Sequence, residues 1–145
     1  MIFGLFGDKH EKEARQLNRD VPIIIEQAEQ AMGPDRLRQM AEMTVKFIDR
    51  AYSQYGSAKI DIKRAHYDYR RLHKEARRNN DQVGLSAMTL VIIHLRAELA
   101  GVAANPAKAQ IKRFTDSWLH DGEAQPADDA DDTDSAEVTE DSRSN

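Results

Sequence analysis

Residues 82–103, "QVGLSAMTLVIIHLRAELAGVA", are apolar on two opposite sides at once. Wound as a helix, Val83, Ala87, Leu90, His94, Ala97 and Gly101 form one stripe. Leu85, Met88, Ile92, Leu95, Leu99 and Val102 form a second, and only a narrow line near Thr89 and Arg96 suits water. A helix apolar nearly all round has to be covered all round. Two arrangements do that: the segment is the central helix of a bundle, or it is shared between subunits. The small residues of the first stripe would let another backbone come close, so Val83, Ala87, Leu90, His94, Ala97 and Gly101 are the candidate seam of a homo-oligomer.

The rest of the chain supplies the covering helices. Leu17, Val21, Ile24 and Ala28, followed by Ala31 or Met32, recur at three- and four-residue steps, the pattern of one helical stripe. Pro22 falls inside it, so either Asp20 caps a new helix there or one long helix kinks at the proline. "MGPD" (32–35) is a stop and a restart. A second helix over about 35–55 buries Leu37, Met40, Ala41, Thr44, Phe47, Ile48, Ala51, Tyr52 and Tyr55. Gly56-Ser57 ends it and offers a cap to a third over about 58–79. Asn80 or Asp81 caps the fourth, and Asn105 with Pro106 opens a fifth whose stripe is Ala107, Ile111, Phe114 and Trp118. Few prolines and glycines and no alternating β-branched runs argue against a β protein. The expected fold is an all-α helical bundle of four long helices plus a shorter C-terminal helix.

Charge divides the chain. Residues 1–120 hold twenty bases and fifteen acids, whereas 121–145 hold ten acids and the single base Arg143. That last stretch has one aliphatic residue larger than alanine, Val138, too little to offset the entropy of ordering it. The expected organisation is an apolar N-terminal segment (1–7), a helical bundle domain (8–120) and a disordered acidic tail (121–145). The tail would keep the protein soluble, bind a partner, or shield a basic face of its own chain. The absence of cysteine excludes disulfides, thiolate metal sites and cysteine nucleophiles. No uninterrupted apolar run reaches the length of a membrane span, and "MIFGLFGDKHEKEA" lacks the basic start of a signal peptide. A cytoplasmic protein is expected.

The third helix holds the most distinctive stretch, "RAHYDYRRLHKEARR" (64–78). Ala58, Ile62, Ala65, Tyr69, Leu72 and Ala76 keep the spacing of a packing seam, which turns Tyr69 inward with its hydroxyl seeking a partner. The face left outside carries Lys63, Arg64, Tyr67, Arg70, Arg71, Lys74, Arg77 and Arg78. Asp61, Asp68 and Glu75 line one flank, and His66 and His73 line the other. The two histidines stand seven residues apart, about 10 Å along a helix, too far for one metal ion. His94 and Glu98 sit at i and i+4, but with no second ligand pair they read as a core-rim histidine bonded to a neighbour. No metal-binding HExxH or ExxH pattern, phosphate-cradling glycine loop or nucleophile elbow occurs. The expectation is therefore non-catalytic, with no catalytic residues, no metal and no cofactor.

What remains is binding. The expected function is that of a small adaptor, scaffold or regulatory protein acting through its helix faces, with another protein as the first partner. The runner-up is sequence-tolerant nucleic-acid binding, in which the eight-residue basic face follows phosphates and Tyr67 stacks on a base. Ile2, Phe3, Leu5 and Phe6 either fold back or reach into a partner groove. A membrane surface ranks below the groove, since the charges that follow alternate in sign rather than being one-sidedly basic.

Overall fold

The computed structural model describes the backbone of residues 2–120 and the side chains of residues 10–119. Five α-helices follow one another: α1 (Ile2–Ala31), α2 (Pro34–Arg50), α3 (Lys59–Arg78), α4 (Gln82–Ala100) and α5 (Asn105–His120). Among the described residues there is no strand, and the molecule is an all-α bundle. The acidic stretch 121–145 lies outside the described residues. So do the side chains of Ile2, Phe3, Leu5 and Phe6, although α1 takes in the segment 2–7 as its first turns.

α1 is one helix through Pro22. An interior proline costs about 3 kcal/mol because it lacks a donor and crowds the preceding turn. The complete burial of Val21, with Leu17 and Ala28 almost as deep, offsets that cost. After Gly33, Pro34 opens α2 where a missing N–H is no loss. α2 ends in a wider turn, Ala51–Tyr55, closed by the bond from Gly56 N–H to the Ala51 carbonyl at 3.2 Å. Gly56 holds φ 118°, and a Cβ there would collide with the Asp61 carboxylate, so glycine is required at this corner.

The cap of α3 differs from expectation. Ala58, not Ser57, occupies the cap position, and the Asp61 carboxylate accepts from its N–H at 3.3 Å. α3 ends where Asp81 N–H reaches back to the Ala76 carbonyl and Asn80 N–H to that of Arg77, with Asn80 left-handed at φ 54°. Asp81 then accepts from Gly84 N–H at 2.9 Å and starts α4. Gly101, at φ 96°, ends α4 before a short tight turn, Val102–Ala104. The start of α5 also departs from the sequence reading. Asn105 is already helical, and the capping oxygen comes from α1: Asn18 accepts from Ala107 N–H at 2.8 Å and donates to the Ala103 carbonyl at 2.9 Å.

α4 is the axle. By length and composition its 19 residues could cross a membrane, even though no unbroken apolar run is that long. Here it packs against each of the other four helices. Its two apolar stripes enter two clusters. Ala87, Leu90, Ile93 and Ala97 pack with Leu17 and Val21 of α1, Met40 and Ala41 of α2, and Ala107, Ile111 and Phe114 of α5. Met88, Val91 and Leu95 pack with Ile62, Ala65 and Tyr69 of α3 and Ala51 below α2. Of the residues read as a seam, Ala87, Leu90 and Ala97 have no exposed surface within a single chain. Val83 and His94 are partly covered, and Gly101 is exposed at the helix end. Intrachain neighbours cover the middle of the stripe. On the second stripe Val102 escapes burial, at 82% exposure.

Around α4 the other helices stand in the order α1, α5, α2, α3. α1 packs on α5, and α5 on α2. α2 and α3 are joined by rings: Phe47 and Tyr69 meet edge to face at 5.4 Å, and Tyr69 donates to the Phe47 carbonyl at 3.0 Å. Among the described residues no ring pair joins α3 to α1. The ring opens at that seam, and a smaller hollow of about 180 Å³ also lies between α2 and α3, beside Phe47, Leu72 and Ala76.

A candidate binding cleft between α1 and α3

The open seam is a cleft of about 760 Å³. Ile92 and Ile93 of α4 make an aliphatic floor with Thr89 and Arg96, and α1 contributes Leu17, Asp20 and Ile24. The α3 wall presents His66, Arg70, His73, Lys74 and Arg77. A second hollow of about 310 Å³ continues it toward the start of α3, sharing His66 and Arg96 and adding Lys59, Lys63, Glu13 and His10. From Lys63 to Arg77 the cationic wall runs about 21 Å, at 1.5 Å per residue. Its acids are few. Glu13 is engaged by Arg96, whose Nε and terminal nitrogen donate at 3.1 and 3.0 Å. Asp20 accepts from Gln16 at 2.8 Å.

The two histidines are neutral parts of this wall. Thr89 Oγ1 donates to the Leu85 carbonyl at 2.8 Å, so at 3.0 Å it must accept from His73, which fixes the proton on His73 Nε2. Burial lowers the His73 pKa from its ordinary value, and nearby Arg77 lowers it further. His66 is lowered by burial first, then by Arg96 and Arg70, with Glu13 opposing. Its Nε2 is buried without a hydrogen-bond partner. Held uncharged, both rings act as apolar-edged spacers between the permanent cations.

The eight residues expected on one basic face divide into two groups. Lys63, Arg70, Lys74 and Arg77 line the cleft and its continuation. Arg64, Tyr67, Arg71 and Arg78 are exposed and line neither, with Tyr67 69% exposed. Arg71 leans on Asp68 at 3.6 Å. Two members of the expected α3 seam also miss the core, Ala58 being exposed and Leu72 sitting at 36% exposure, while Ile62, Ala65, Tyr69 and Ala76 are buried. Sequence reasoning missed the α1 and α4 contributions altogether. A signal for the wall was present, because Lys63, Arg70 and Arg77 repeat every seven residues, as do His66 and His73.

On the far side of α4, His94 and Glu98 meet Tyr52 and Lys108. Tyr52 donates to Glu98 at 3.1 Å and lies 3.1 Å from His94 Nε2, while Lys108 donates to Glu98 at 2.7 Å. A carboxylate can only accept, so the Tyr52 proton goes to Glu98 and His94 Nε2–H donates to the phenol oxygen. His94 Nδ1 is then a bare acceptor, buried and unpartnered. Protonating it would bury an unpaired N–H. Burial, with Lys108 adding to it, pushes the His94 pKa down to about 4. The Lys108 bond, followed by that from Tyr52, holds Glu98 below the usual carboxylate range. Burial and Glu98 hold Tyr52 protonated, well above the ordinary phenol value. These bonds make the cluster a seal between α2, α4 and α5. Compared with known protein families, curated proteins and solved structures, the chain matches none.

Proposed function

We propose that this protein is a non-catalytic binding module, an adaptor or regulatory subunit, that receives an acidic amphipathic helix of another protein in the α1–α3 cleft. The observation that carries this reading is the open seam itself: a cationic wall standing over an aliphatic floor. A helix laid there would place apolar residues at i, i+3, i+4 and i+7 on Ile24, Ile92 and Ile93, and carboxylates against Arg70, Lys74 and Arg77. The floor favours a protein over a phosphate backbone, since nucleic acid offers little to bury on isoleucine. The lack of cysteine accords with a cytoplasmic setting. Binding of a labelled Glu/Leu model helix to the intact protein tests the reading. Arg70→Glu, Lys74→Glu and Arg77→Glu together should abolish binding, and reversal of Arg64, Arg71 and Arg78 should leave it within about twofold. Equal losses from the two triples would sink the cleft as the site.

A second reading rests on one observation, the exposure of Tyr67 beside Arg64 and Arg71 on the solvent side of α3, away from the cleft. That surface could stack an unpaired base and follow phosphates. Under it, reversal of Arg64, Arg71 and Arg78 is the change that abolishes single-stranded nucleic-acid binding, and affinity falls steeply with salt.

A further inference from the structure

We propose that the chain's own acidic stretch, Asp128–Asp134, is the resident occupant of the cleft's cationic wall and is displaced by the partner; this rests on the cleft being the binding surface. The first support is where the chain leaves the bundle. α5 runs beside α1 in the same direction: Asn18 bonds at Ala103 and Ala107, where α5 begins, and the later α1 residues Pro22, Ile25 and Glu29 share a hollow with the later α5 residues Gln110, Phe114 and Ser117. α1 passes through Gly33 into α2, whose Arg36 bonds Gln82, the first residue of α4, at 3.2 Å. α5 therefore ends at the end of the bundle where α3 finishes with Arg77 and Arg78. From His120, eight residues lead to Asp128, a reach of up to about 27 Å. Crossing α1 to the cleft takes roughly two interhelical spacings, about 20 Å.

The second support is complementarity. "DDADDTD" (128–134) sets five carboxylates in seven residues, spanning about 20 Å when extended. The Lys63–Arg77 wall matches that length and is opposite in sign. The third is a deliberate mismatch: Val138 is the one aliphatic residue beyond alanine in 121–145, so this stretch satisfies the wall and leaves the isoleucine floor bare. Tethering at millimolar effective concentration lets such a contact form although it is weak. A partner offering both carboxylates and leucines outcompetes it.

The intact chain has no thiol, so Ser135→Cys carries a single nitroxide. At low salt the label should broaden amide resonances of α3 residues 70–78 and α1 residues 17–24. The broadening should vanish at about 0.5 M salt, where the screening length falls to roughly 4 Å, and also in the Arg70→Glu, Lys74→Glu, Arg77→Glu chain. Replacing the ten acids of 121–145 by their amides should tighten binding of the Glu/Leu model helix about tenfold. Broadening centred on Tyr67, or none at low salt, overturns the proposal. An unchanged affinity after amidation overturns it too while leaving the cleft reading intact. A model helix that binds neither chain removes both.

Discussion

The two edges of α3 face the same kind of neighbour, a long helix resting on α4, and they end differently. Toward α2 the edge is closed around Tyr69, which is 3% exposed, meets Phe47 and Tyr55 edge to face, and spends its hydroxyl on the Phe47 carbonyl, leaving only a hollow of about 180 Å³ beyond it near Leu72 and Ala76. Tyr55 closes the same seam by donating to Asp68 at 2.7 Å. Toward α1 the edge is open, and Arg70, Lys74 and Arg77 stand along it with neutral histidines between. Rings with a polar tip can be buried once that tip is bonded. A row of permanent cations has no such escape, since drawing α1 over it would strip several charges of water for two acids already engaged. Seam closure in this bundle is decided by which side chains can discharge their polarity on a neighbour.

The largest test of this contrast uses two nearby residues of α4. Leu90 has no exposed surface, whereas Ile92 floors the cleft. Leu90→Asp should cost more than about 4 kcal/mol and abolish cooperative unfolding, because the carboxylate is buried without a partner. Ile92→Asp should keep native helicity by circular dichroism, lose about 1–2 kcal/mol and weaken an acidic ligand. If Ile92→Asp unfolds the chain as well, the α1–α3 seam is closed in solution and the comparison fails.

The next largest effect separates the sealed histidine from the open ones. His94 takes a proton near 6.5 in the unfolded chain and near 4 in the folded one. Acidification between those values therefore feeds the unfolded state. The contribution is complete above pH 6.5 and is lost as pH falls toward 4, by on the order of 3 kcal/mol. Glu98, held low by Lys108, withdraws its share below the ordinary carboxylate range, in the same direction. Urea midpoints measured across this window should fall steeply for the native protein and more gently for His94→Gln. A residual slope should remain, because His66 and His73 are also depressed. Identical slopes for the two proteins would place His94 in water.

Asn18 comes third and shows how far the fold could be read from the chain. Most element ends were legible because their causes are local: Gly33-Pro34, Gly56 and the Asn79–Asp81 turn each act within a few residues, whereas Gly101, read as part of the α4 stripe, ends the helix at φ 96°. The central role of α4 was legible too, from its double stripe. The cap of α5 was not, since Asn18 acts across 89 positions, and nothing in α1 marks one asparagine as facing another helix. The cleft was unreadable for the same reason. Periodicity says which face of α3 is wet, but which seam stays open depends on the order of helices around α4. Asn18→Ala should cost about 1–2 kcal/mol by leaving Ala107 N–H uncapped, measurable as a fall in thermal midpoint. A loss under 0.3 kcal/mol would assign the capping to Asn105 after all.

The smallest effect is the sharpest, because it uses two consecutive residues that point to opposite edges of α3. Tyr69→Phe removes one buried hydroxyl bond on the sealed edge. Burial keeps that phenol protonated, its pKa pushed up to about 12, so the bond is intact at every working pH. Its loss should cost about 1 kcal/mol, independent of salt, since the Phe47 carbonyl also receives the Ala51 N–H. Arg70→Gln on the open edge removes a charge that repels Lys74 and Arg77 and helps hold His66 neutral. It should stabilise the protein by a few tenths of a kcal/mol at low salt and by nothing measurable at high salt. Opposite signs at adjacent positions, one screened and one not, would mark the boundary between seal and cleft within a single residue step. If Arg70→Gln instead destabilises as Tyr69→Phe does, its guanidinium is engaged across the seam and α1 lies closer to α3 than the open ring requires.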